Sequence, residues 1–559
     1  MSTYHDFFLS SSLEKIFPAR RPPALPPQAT LSGFADTVLN LQLVHFFDCY
    51  DCFSAVPQLP EKLYVRLENC PFAHAFYEIC EIPSDMPSFE DADNYFISKT
   101  DESYPDFLRP SDGALHPAVN EYRSLWISLS LKGALPGLYP IHIVVEQDGE
   151  ECYRATLCVR VCTAPLEKQK LIHTEWLHAD CLCSYYNVEA FSERHFALLE
   201  NFIRAAVQDY GINMILTPVF TPPLDTQVGG ERRTVQLVDI ACDSRGYHFD
   251  FSKLARWADI CKRCGVEYLE IAHLFTQWGA QHCPKIIVTE KGRERKKFGW
   301  QSDAAGTEYR KFLEQFLPAL RSALQGMGYP DEKVYYHISD EPSEDNLEHY
   351  RRAKAQVADL LEGANVVDAL SSYRFYQEGL VTEPIVSSDH IQAFLDAGVP
   401  NLWVYYCCGQ DKLVPNRFFA MPSPRNRVFG VLLYLSGVKG FLHWGYNFYN
   451  SQYSLSDIDP YTVSDADCGF PSGDAYLVYP GEEGEALPSI RGKVLAEAIV
   501  DLRACETLEK YRGRDYVQQL IKDFADMQDI CYTKYPRSAE FLLSLRERLA
   551  EELERALQA

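Results

Sequence analysis

The stretch VYYHISDEP, residues 334–342, decides the fold class and the kind of site predicted for this chain. An apolar run ends in two adjacent acids, Asp340 and Glu341. Pro342 then ends the strand, and Ser343 is placed to cap a following helix. This is the pattern of a buried parallel strand that leads into a helix, with charged side chains at its carboxyl end.

Seven further apolar runs on either side of this stretch repeat the pattern and alternate with amphipathic helical segments. Eight βα repeats over roughly 280 residues predict a closed (β/α)8 TIM barrel in an α/β protein. A doubly wound open sheet is the alternative, but a Gly-rich turn usually follows its first strand and this chain has none there. The eight runs are KLIHTEWLH (170–178), NMILTPVF (213–220), YLEIAHLF (268–275), VYYHISDE (334–341), NVVDALSS (365–372), PIVSSDH (384–390), NLWVYYCC (401–408) and GFLHWGYN (440–447).

Helix signals follow most of these runs. Ser192, Ser252 and Ser343 each precede an amphipathic segment and are predicted N-caps, and Gly265 is a predicted helix end. The connection after residue 372 is short, so its helix is the weakest of the set.

The two flanks of the barrel have different patterns. Residues 1–165 contain short alternating runs separated by Pro-, Asp- and Ser-rich turns, which predict an N-terminal antiparallel β-sandwich. Residues 166–460 hold the barrel. Residues 461–559 begin with a turn-rich segment and continue as amphipathic helices, which we expect to pack on the barrel or to form a homo-oligomer contact.

The amino-acid composition limits the classes of partner that we expect this chain to bind. With 53 Lys and Arg against 78 Asp and Glu, the net charge of −25 disfavours nucleic acid and anionic membranes. The N-terminus lacks a signal-peptide pattern, and no run approaches the length of about 18 apolar residues that a membrane span needs. Cys261 and Cys264 have C-x-x-C spacing but lie in a predicted helix, where we expect ordinary helix residues rather than zinc ligands. We therefore expect a cytoplasmic protein without metal or cofactor.

The carboxyl ends of the predicted strands collect acids, imidazoles and aromatic rings, without phosphate-binding glycines. In barrels of this type the active site lies at these ends. Aromatic faces stack on sugar rings while polar groups bind hydroxyls, so the set predicts a sugar site, although any single ring or His is more often a packed core residue. The predicted substrate-binding residues are Glu175, Trp176, His178, His273, Trp278, His337, Tyr373, Asp389, Tyr405, Tyr406, Trp444, Tyr446 and Asn447.

Asp340 and Glu341 are the predicted catalytic pair. Glycoside hydrolysis needs one acid for the leaving oxygen and a second group at the anomeric carbon, and in ordinary retaining enzymes the two carboxyls face each other about 5–5.5 Å apart. Consecutive residues instead lie side by side, which suits a substrate whose own 2-acetamido oxygen attacks. Otherwise a separate nucleophile is needed, Glu175 or Asp389. The alternative without catalysis has Asp340 capping the loop and Glu341 solvated.

Several segments resemble the catalytic domain of glycoside hydrolase family 123 and a neighbouring family of unknown function. They are HISDEP (337–342), WVYY (403–406), HWGYN (443–447) and SIRGKVLAEAIVDLRACETLE (489–509). The resemblance implies cleavage of β-linked N-acetylgalactosamine by substrate-assisted retention. It also implies that Glu341 is the general acid/base and that Asp340 orients the acetamido group.

The tail departs from the family pattern. Arg491 and Asp501 are retained, but Ala496 and Glu497, then Leu502 after Asp501, stand where relatives carry a second Arg and an Asp–Tyr pair. This difference bears on the sugar recognised more than on the fold.

The sequence thus favours a β-N-acetylhexosaminidase acting inside the cell on imported oligosaccharides. A retaining glycosidase for another glycan and a non-catalytic carbohydrate-binding barrel are the alternatives. Phosphoryl transfer is not favoured, because the sequence has neither a phosphate-binding loop nor a cluster of metal-ligating residues. The basic run KGRERKKFGW (291–300) is expected to be a solvated loop or to touch an anionic substrate group.

Overall fold

The computed structural model describes residues 5–27, 29–49, 59–100 and 102–558. The chain forms two compact units. The first comprises Met1–Gln169, Pro415–Ser436 and Leu487–Ala559, and the second comprises Lys170–Val414 and Gly437–Ala486. These bounds differ from the three consecutive segments predicted from sequence, because contacts rather than chain order define a compact unit.

Two five-stranded sheets make up the N-terminal part of the first unit. Their orders are β1-β3-β8-β5-β6 and β2-β10-β9-β4-β7, and neighbours are antiparallel except for β2 and β10. Apolar residues of both sheets, such as Leu41, Ile127, Ile143 and Val159, form one buried core. The strands are β1 His5–Ser11, β2 Thr30–Phe34, β3 Val38–Phe47, β4 Leu63–Glu68, β5 Ala73–Ser84, β6 Glu102–Ser111, β7 Ala114–Leu115, β8 Tyr122–Ser130, β9 Gly137–Gln147 and β10 Glu150–Cys162.

The second unit contains the barrel. Its elements are β11 Ile172–Glu175, α1 Ala179–Tyr185, α2 Glu193–Tyr210, β12 Met214–Thr217, β13 Asp239–Asp243, β14 Gly246–Asp250, α3 Ser252–Cys264, β15 Tyr268–Ile271, β16 Ile286–Glu290, β17 Arg293–Phe298, α4 Thr307–Gly326, β18 Val334–Tyr336, α5 Leu347–Ala355, β19 Asn365–Leu370, α6 Arg374–Gln377, β20 Glu383–Ser387, α7 Gln392–Asp396, β21 Trp403–Tyr405, β22 Gly440–His443, β23 Tyr479–Pro480 and β24 Ala486–Leu487.

Each of the eight predicted runs supplies one strand of a closed parallel barrel, in the order β11-β12-β15-β18-β19-β20-β21-β22. The last strand pairs with the first, with Glu175 opposite His443. This closure confirms the barrel, and the open-sheet alternative is wrong. Because the strands are parallel, their carboxyl ends share one rim.

The helix signals are confirmed in part. The Ser192 hydroxyl accepts a hydrogen bond from the third residue of α2, and Gly265 ends α3 with a left-handed φ of 95°. Ser252 is the first residue of α3 rather than its cap, while Ser343 precedes a short 3-10 turn before α5. The weak fifth helix is a single turn, α6.

The loops after β12 and β15 carry a small sheet of order β14-β13-β16-β17 that the sequence pattern did not predict. The basic run at 291–300 forms most of its edge strand, paired antiparallel with β16. The expected solvated loop is therefore a strand, because the consecutive residues Arg293–Lys296 pair in register with Ile287–Glu290.

Five helices complete the first unit, with α10 packed on α8, α9, α11 and α12, and α12 also packed on β2 and β10. Among the residues described, no helix has the length and apolarity to cross a membrane. The helices are α8 Ser423–Arg427, α9 Phe429–Ser436, α10 Ile490–Arg512, α11 Arg514–Ala525 and α12 Ala539–Gln558.

Candidate active site

A cavity of about 100 Å³ opens at the carboxyl-terminal rim of the barrel. Asp340 and Glu341, which follow β18, both line it. The remaining lining residues come from strand ends and rim loops and are Trp176, Leu224, Asp225, Gln277, Trp278, Ala369, Tyr405, Cys407, Cys408, Leu442, Trp444 and Phe470.

The backbone turns at the acid pair. Glu341 has a left-handed φ of 42°, which is uncommon for a residue with a side chain and is found most often at functional sites. Its N–H donates to the carbonyl of Ala369 at 3.1 Å, and the carbonyl of Asp340 accepts from the N–H of Trp278 at 2.9 Å. The left-handed turn breaks the alternation of an extended strand, so both acids reach the same cavity.

The two acids hold protons more tightly than ordinary carboxyls. Burial raises the pKa of Asp340 well above its usual range, and the charge of Glu341 raises it further. Burial also raises the pKa of Glu341, although the hydroxyl of Tyr405, which donates to its Oε1 at 2.6 Å, acts in the opposite direction. A carboxyl with a raised pKa is suited to donate a proton near neutral pH.

A charged layer lies beneath the pair. The Nε2 of His337 is 2.6 Å from Glu270, and its Nδ1 is 3.4 Å from Asp368. Burial opposes a charge there, but hydrogen bonds and the charges of these two acids raise the pKa of His337 to about 9. The imidazolium in turn favours the ionised form of Asp340.

Two aromatic side chains hold this layer in place. Trp176 donates its indole N–H to Glu270 at 2.8 Å. His273 stacks on His337 with ring centroids 4.3 Å apart, and burial together with the charge of His337 lowers its pKa well below the usual value. His273 is therefore neutral beside a charged imidazole.

Four of the predicted substrate-binding residues line the cavity, namely Trp176, Trp278, Tyr405 and Trp444. Trp278 is 39% exposed, so one of its surfaces is free to meet a ligand. Trp444 is oriented by its indole N–H, which donates to Asp474 at 2.8 Å. These rings supply the aromatic walls that the sequence predicts for a sugar site.

The other predicted residues lie outside the cavity wall. Several are core residues with internal partners: Tyr446 donates to the carbonyl of Phe202, and Asn447 exchanges hydrogen bonds with the backbone of His178. Side-chain type and strand position do not reveal this depth. The residues outside the wall are Glu175, His178, His273, His337, Tyr373, Asp389, Tyr406, Tyr446 and Asn447.

Both predicted alternative nucleophiles belong to this group. Glu175 is fully buried, 3.4 Å from His173. Asp389 is 2.9 Å from His390 and accepts a hydrogen bond from Gln410. Neither lines the cavity.

Sequence reasoning missed part of the wall. Asp225 and Gln277 lie in loops after β12 and β15, and Cys407 and Cys408 follow β21. The two cysteines belong to the predicted strand run 401–408, but Asp225 and Gln277 lie in loops and carry no motif. In the described ranges no group of three metal-ligating side chains occurs, and Cys261 and Cys264 are buried free thiols in α3.

A closed parallel barrel whose rim carries paired acids and tryptophans defines the class of carbohydrate-active barrel enzymes. The glycoside hydrolase 123 catalytic domain model matches residues 176–508, more than half of the chain. The chain therefore belongs to glycoside hydrolase family 123. It is a glycosidase with a glycan substrate, and the alternative of a non-catalytic binding barrel is not favoured.

One solved structure agrees with this chain at the level of the fold. A family 123 glycoside hydrolase from Clostridium perfringens, described for glycolipid glycan hydrolysis, superposes with a TM-score of 0.72 at 15% identity and 99% coverage of both chains. A family 39 glycoside hydrolase from Bacteroides cellulosilyticus WH2 gives a TM-score of 0.32 at 9% identity, over 86% of this chain and 82% of that one. No curated protein sequence matches this chain.

Proposed function

We propose that this glycosidase is a retaining β-N-acetylhexosaminidase, favouring N-acetylgalactosamine, in which the 2-acetamido group of the substrate attacks the anomeric carbon. The observation that carries the proposal is that Asp340 and Glu341, consecutive residues of one strand end, both line the cavity. Neighbours on one strand end do not face each other across a glycosidic bond as an acid and a nucleophile do.

In this mechanism Glu341 is the general acid that protonates the leaving oxygen. Its raised pKa supplies the proton, and Tyr405 stabilises the carboxylate that remains after transfer. The same carboxylate then takes a proton from the water that opens the acetamido-bridged intermediate.

Asp340 holds and polarises the acetamido N–H as a carboxylate. When Glu341 carries the proton, it no longer opposes the charge of Asp340, and the imidazolium of His337 favours that charge. In the proposed mechanism the one proton shared by the pair lies on Glu341 before cleavage, and Asp340 is ionised.

A retaining mechanism with a carboxylate nucleophile is the second candidate, and one observation favours it. Asp225 lines the same cavity, unlike Glu175 and Asp389. Burial raises the pKa of Asp225 to about 6, so this carboxyl is mostly ionised, as a nucleophile must be, only above that pH.

Two probes separate these mechanisms. A panel of nitrophenyl glycosides should show turnover of β-N-acetylgalactosaminide or β-N-acetylglucosaminide, and a thiazoline mimic of the bridged intermediate should inhibit. Efficient cleavage of β-galactosides or β-glucosides that lack the acetamido group would contradict the acetamido mechanism. A 2-deoxy-2-fluoro glycoside that labels Asp225 covalently would establish the second candidate.

The proposal includes a cytoplasmic location, with oligosaccharides imported before cleavage. Cell fractionation followed by assay with the best nitrophenyl glycoside tests this part. Activity confined to secreted or envelope fractions would contradict it.

A further inference from the structure

Asp225 is held by loops from two other places on the barrel rim. Its N–H donates to Oε1 of Gln277 at 2.6 Å, in the loop after β15. Its Oδ2 accepts from the N–H of Tyr453 at 2.8 Å, and its carbonyl accepts from the hydroxyl of Ser454 at 2.7 Å, both beyond β22. The backbone φ of Asp225 is 36°, a strained value that the three contacts hold in place.

This anchoring leaves one donor and one acceptor unused. Gln277 is only 5% exposed, and its Nε2 has no hydrogen-bond partner among the described residues. The orientation of the amide is fixed, because Oε1 must face the N–H of Asp225. Within the same described ranges, Oδ1 of Asp225 accepts no hydrogen bond, since the carboxylate contact to Tyr453 uses Oδ2. A buried donor without a partner is costly and calls for an explanation, such as a ligand.

Both side chains line the cavity that contains Asp340 and Glu341. A hydroxyl group can donate to a carboxylate and accept from an amide at once, so a hydroxyl or an adjacent hydroxyl pair satisfies both. A carboxylate, phosphate or sulfate would be repelled by Asp225, and an apolar group would leave the amide N–H unsatisfied. Trp278, the residue after Gln277, offers an exposed ring beside them.

We propose that Asp225 and Gln277 form a hydroxyl-binding subsite that selects neutral sugars by one or two ring hydroxyls and rejects acidic ones. This deepens the proposed function but requires only that a sugar binds in the cavity. Asp225 and Gln277 are then specificity-determining residues, distinct from the acid pair that acts on the glycosidic bond.

The test combines substrate and enzyme changes. The nitrophenyl glycoside that the wild type cleaves best is compared with its 3-, 4- and 6-deoxy analogues, using wild type, Asp225→Asn and Gln277→Glu. Gln277→Glu keeps an acceptor for the N–H of Asp225 and removes the amide donor, although it also adds a negative charge beside Asp225. Exposed Asp345→Asn serves as the matched control.

In the wild type, removal of the recognised hydroxyl should lower kcat/KM by about 10- to 100-fold, the range for a hydrogen bond to a charged group. In Asp225→Asn and Gln277→Glu the same deletion should cost less than about 3-fold, because the partner is already missing. Asp345→Asn should behave as wild type.

The subsite would be contradicted if removal of each hydroxyl lowered kcat/KM by the same factor in the wild type and in both variants. Failure of the proposed function is a different result. If the best substrate lacks an acetamido group, the hexosaminidase assignment fails, while the same deoxy comparison on that substrate still decides the subsite.

Discussion

Buried acids in the two units of this chain have opposite environments. On the barrel rim, Asp340 and Glu341 share a cavity without a Lys or Arg in its wall, and burial raises the pKa of each. In the other unit, Asp501 is more deeply buried, yet Arg427 and Arg546 contact it and hold its pKa below the usual value.

Other acids in the same unit are also paired with arginines. Glu497 accepts hydrogen bonds from Ser12 and Asn40 at 2.9 Å and lies 3.1 Å from Arg427. Arg491 makes a two-point contact with Asp106 at 2.9 and 3.0 Å. Arg491 and Asp501, which the family pattern retains, and Glu497, which departs from it, therefore all form ion pairs within this unit.

The difference teaches how to distinguish a reactive acid from a structural one. A buried acid with guanidinium partners is compensated and remains ionised, whereas one without them retains a proton that it can transfer. Four predictions test this distinction.

Replacing Glu341 with Gln removes the proton donor of the uncompensated pair and should lower kcat/KM by about 10²- to 10⁴-fold on a glycoside with a poor leaving group. Steady-state kinetics measures this, with circular dichroism to verify folding. Asp345→Asn, an exposed acid nearby, should leave activity unchanged. More than a tenth of wild-type activity in Glu341→Gln would place the acid elsewhere.

Replacing Asp501 with Asn leaves buried Arg546 without a counter-charge and Arg427 with Glu497 alone, and should lower the unfolding free energy by about 3–5 kcal/mol. Urea unfolding and thermal melts measure this. Glu551→Gln, which breaks an exposed pair with Arg555, is the matched control and should cost less than about 1 kcal/mol. If Asp501→Asn and Glu551→Gln lower the unfolding free energy equally, the buried ion pairs of Asp501 do not stabilise this unit as argued.

Replacing Tyr405 with Phe removes the hydrogen bond that favours ionised Glu341. The pKa of Glu341 should then rise further, so the alkaline limb of the kcat/KM profile moves to higher pH, and kcat falls about 3- to 10-fold. The pH profile of Tyr373→Phe, a residue outside the cavity wall, should match wild type. A limb that moves to lower pH would show that Glu341 is not the titrating acid.

Replacing Asp225 with Asn should stabilise the protein at pH 7.5 by roughly 1–3 kcal/mol. Burial raises the pKa of Asp225 to about 6, above its ordinary value of 3.8, so the folded state favours the protonated form. The stability from this preference is present below about pH 4 and is lost as pH rises through 6. Melting temperatures at pH 4 and 7.5 measure it, and equal gains at both values would contradict the cause.

Much of the architecture could be read from the sequence. All eight strand runs, the cap at Ser192 and the helix end at Gly265 follow from local periodicity and capping chemistry. The acid pair was visible because it ends the apolar run of β18. The small sheet was not, because its strands lie in loops and its two hairpins join only through β13 and β16, which are distant in sequence.

The sequence by itself determined the repeat of strands, and hence the barrel and the rim that carries Asp340 and Glu341. Only the tertiary structure decided which rim side chains line the cavity. Trp176 does so while its neighbour Glu175 is buried against His173, and Asp225 does so while Asp389 does not. The reason is that periodicity sets the face of a strand, whereas depth, charge compensation and loop convergence depend on residues brought together by folding.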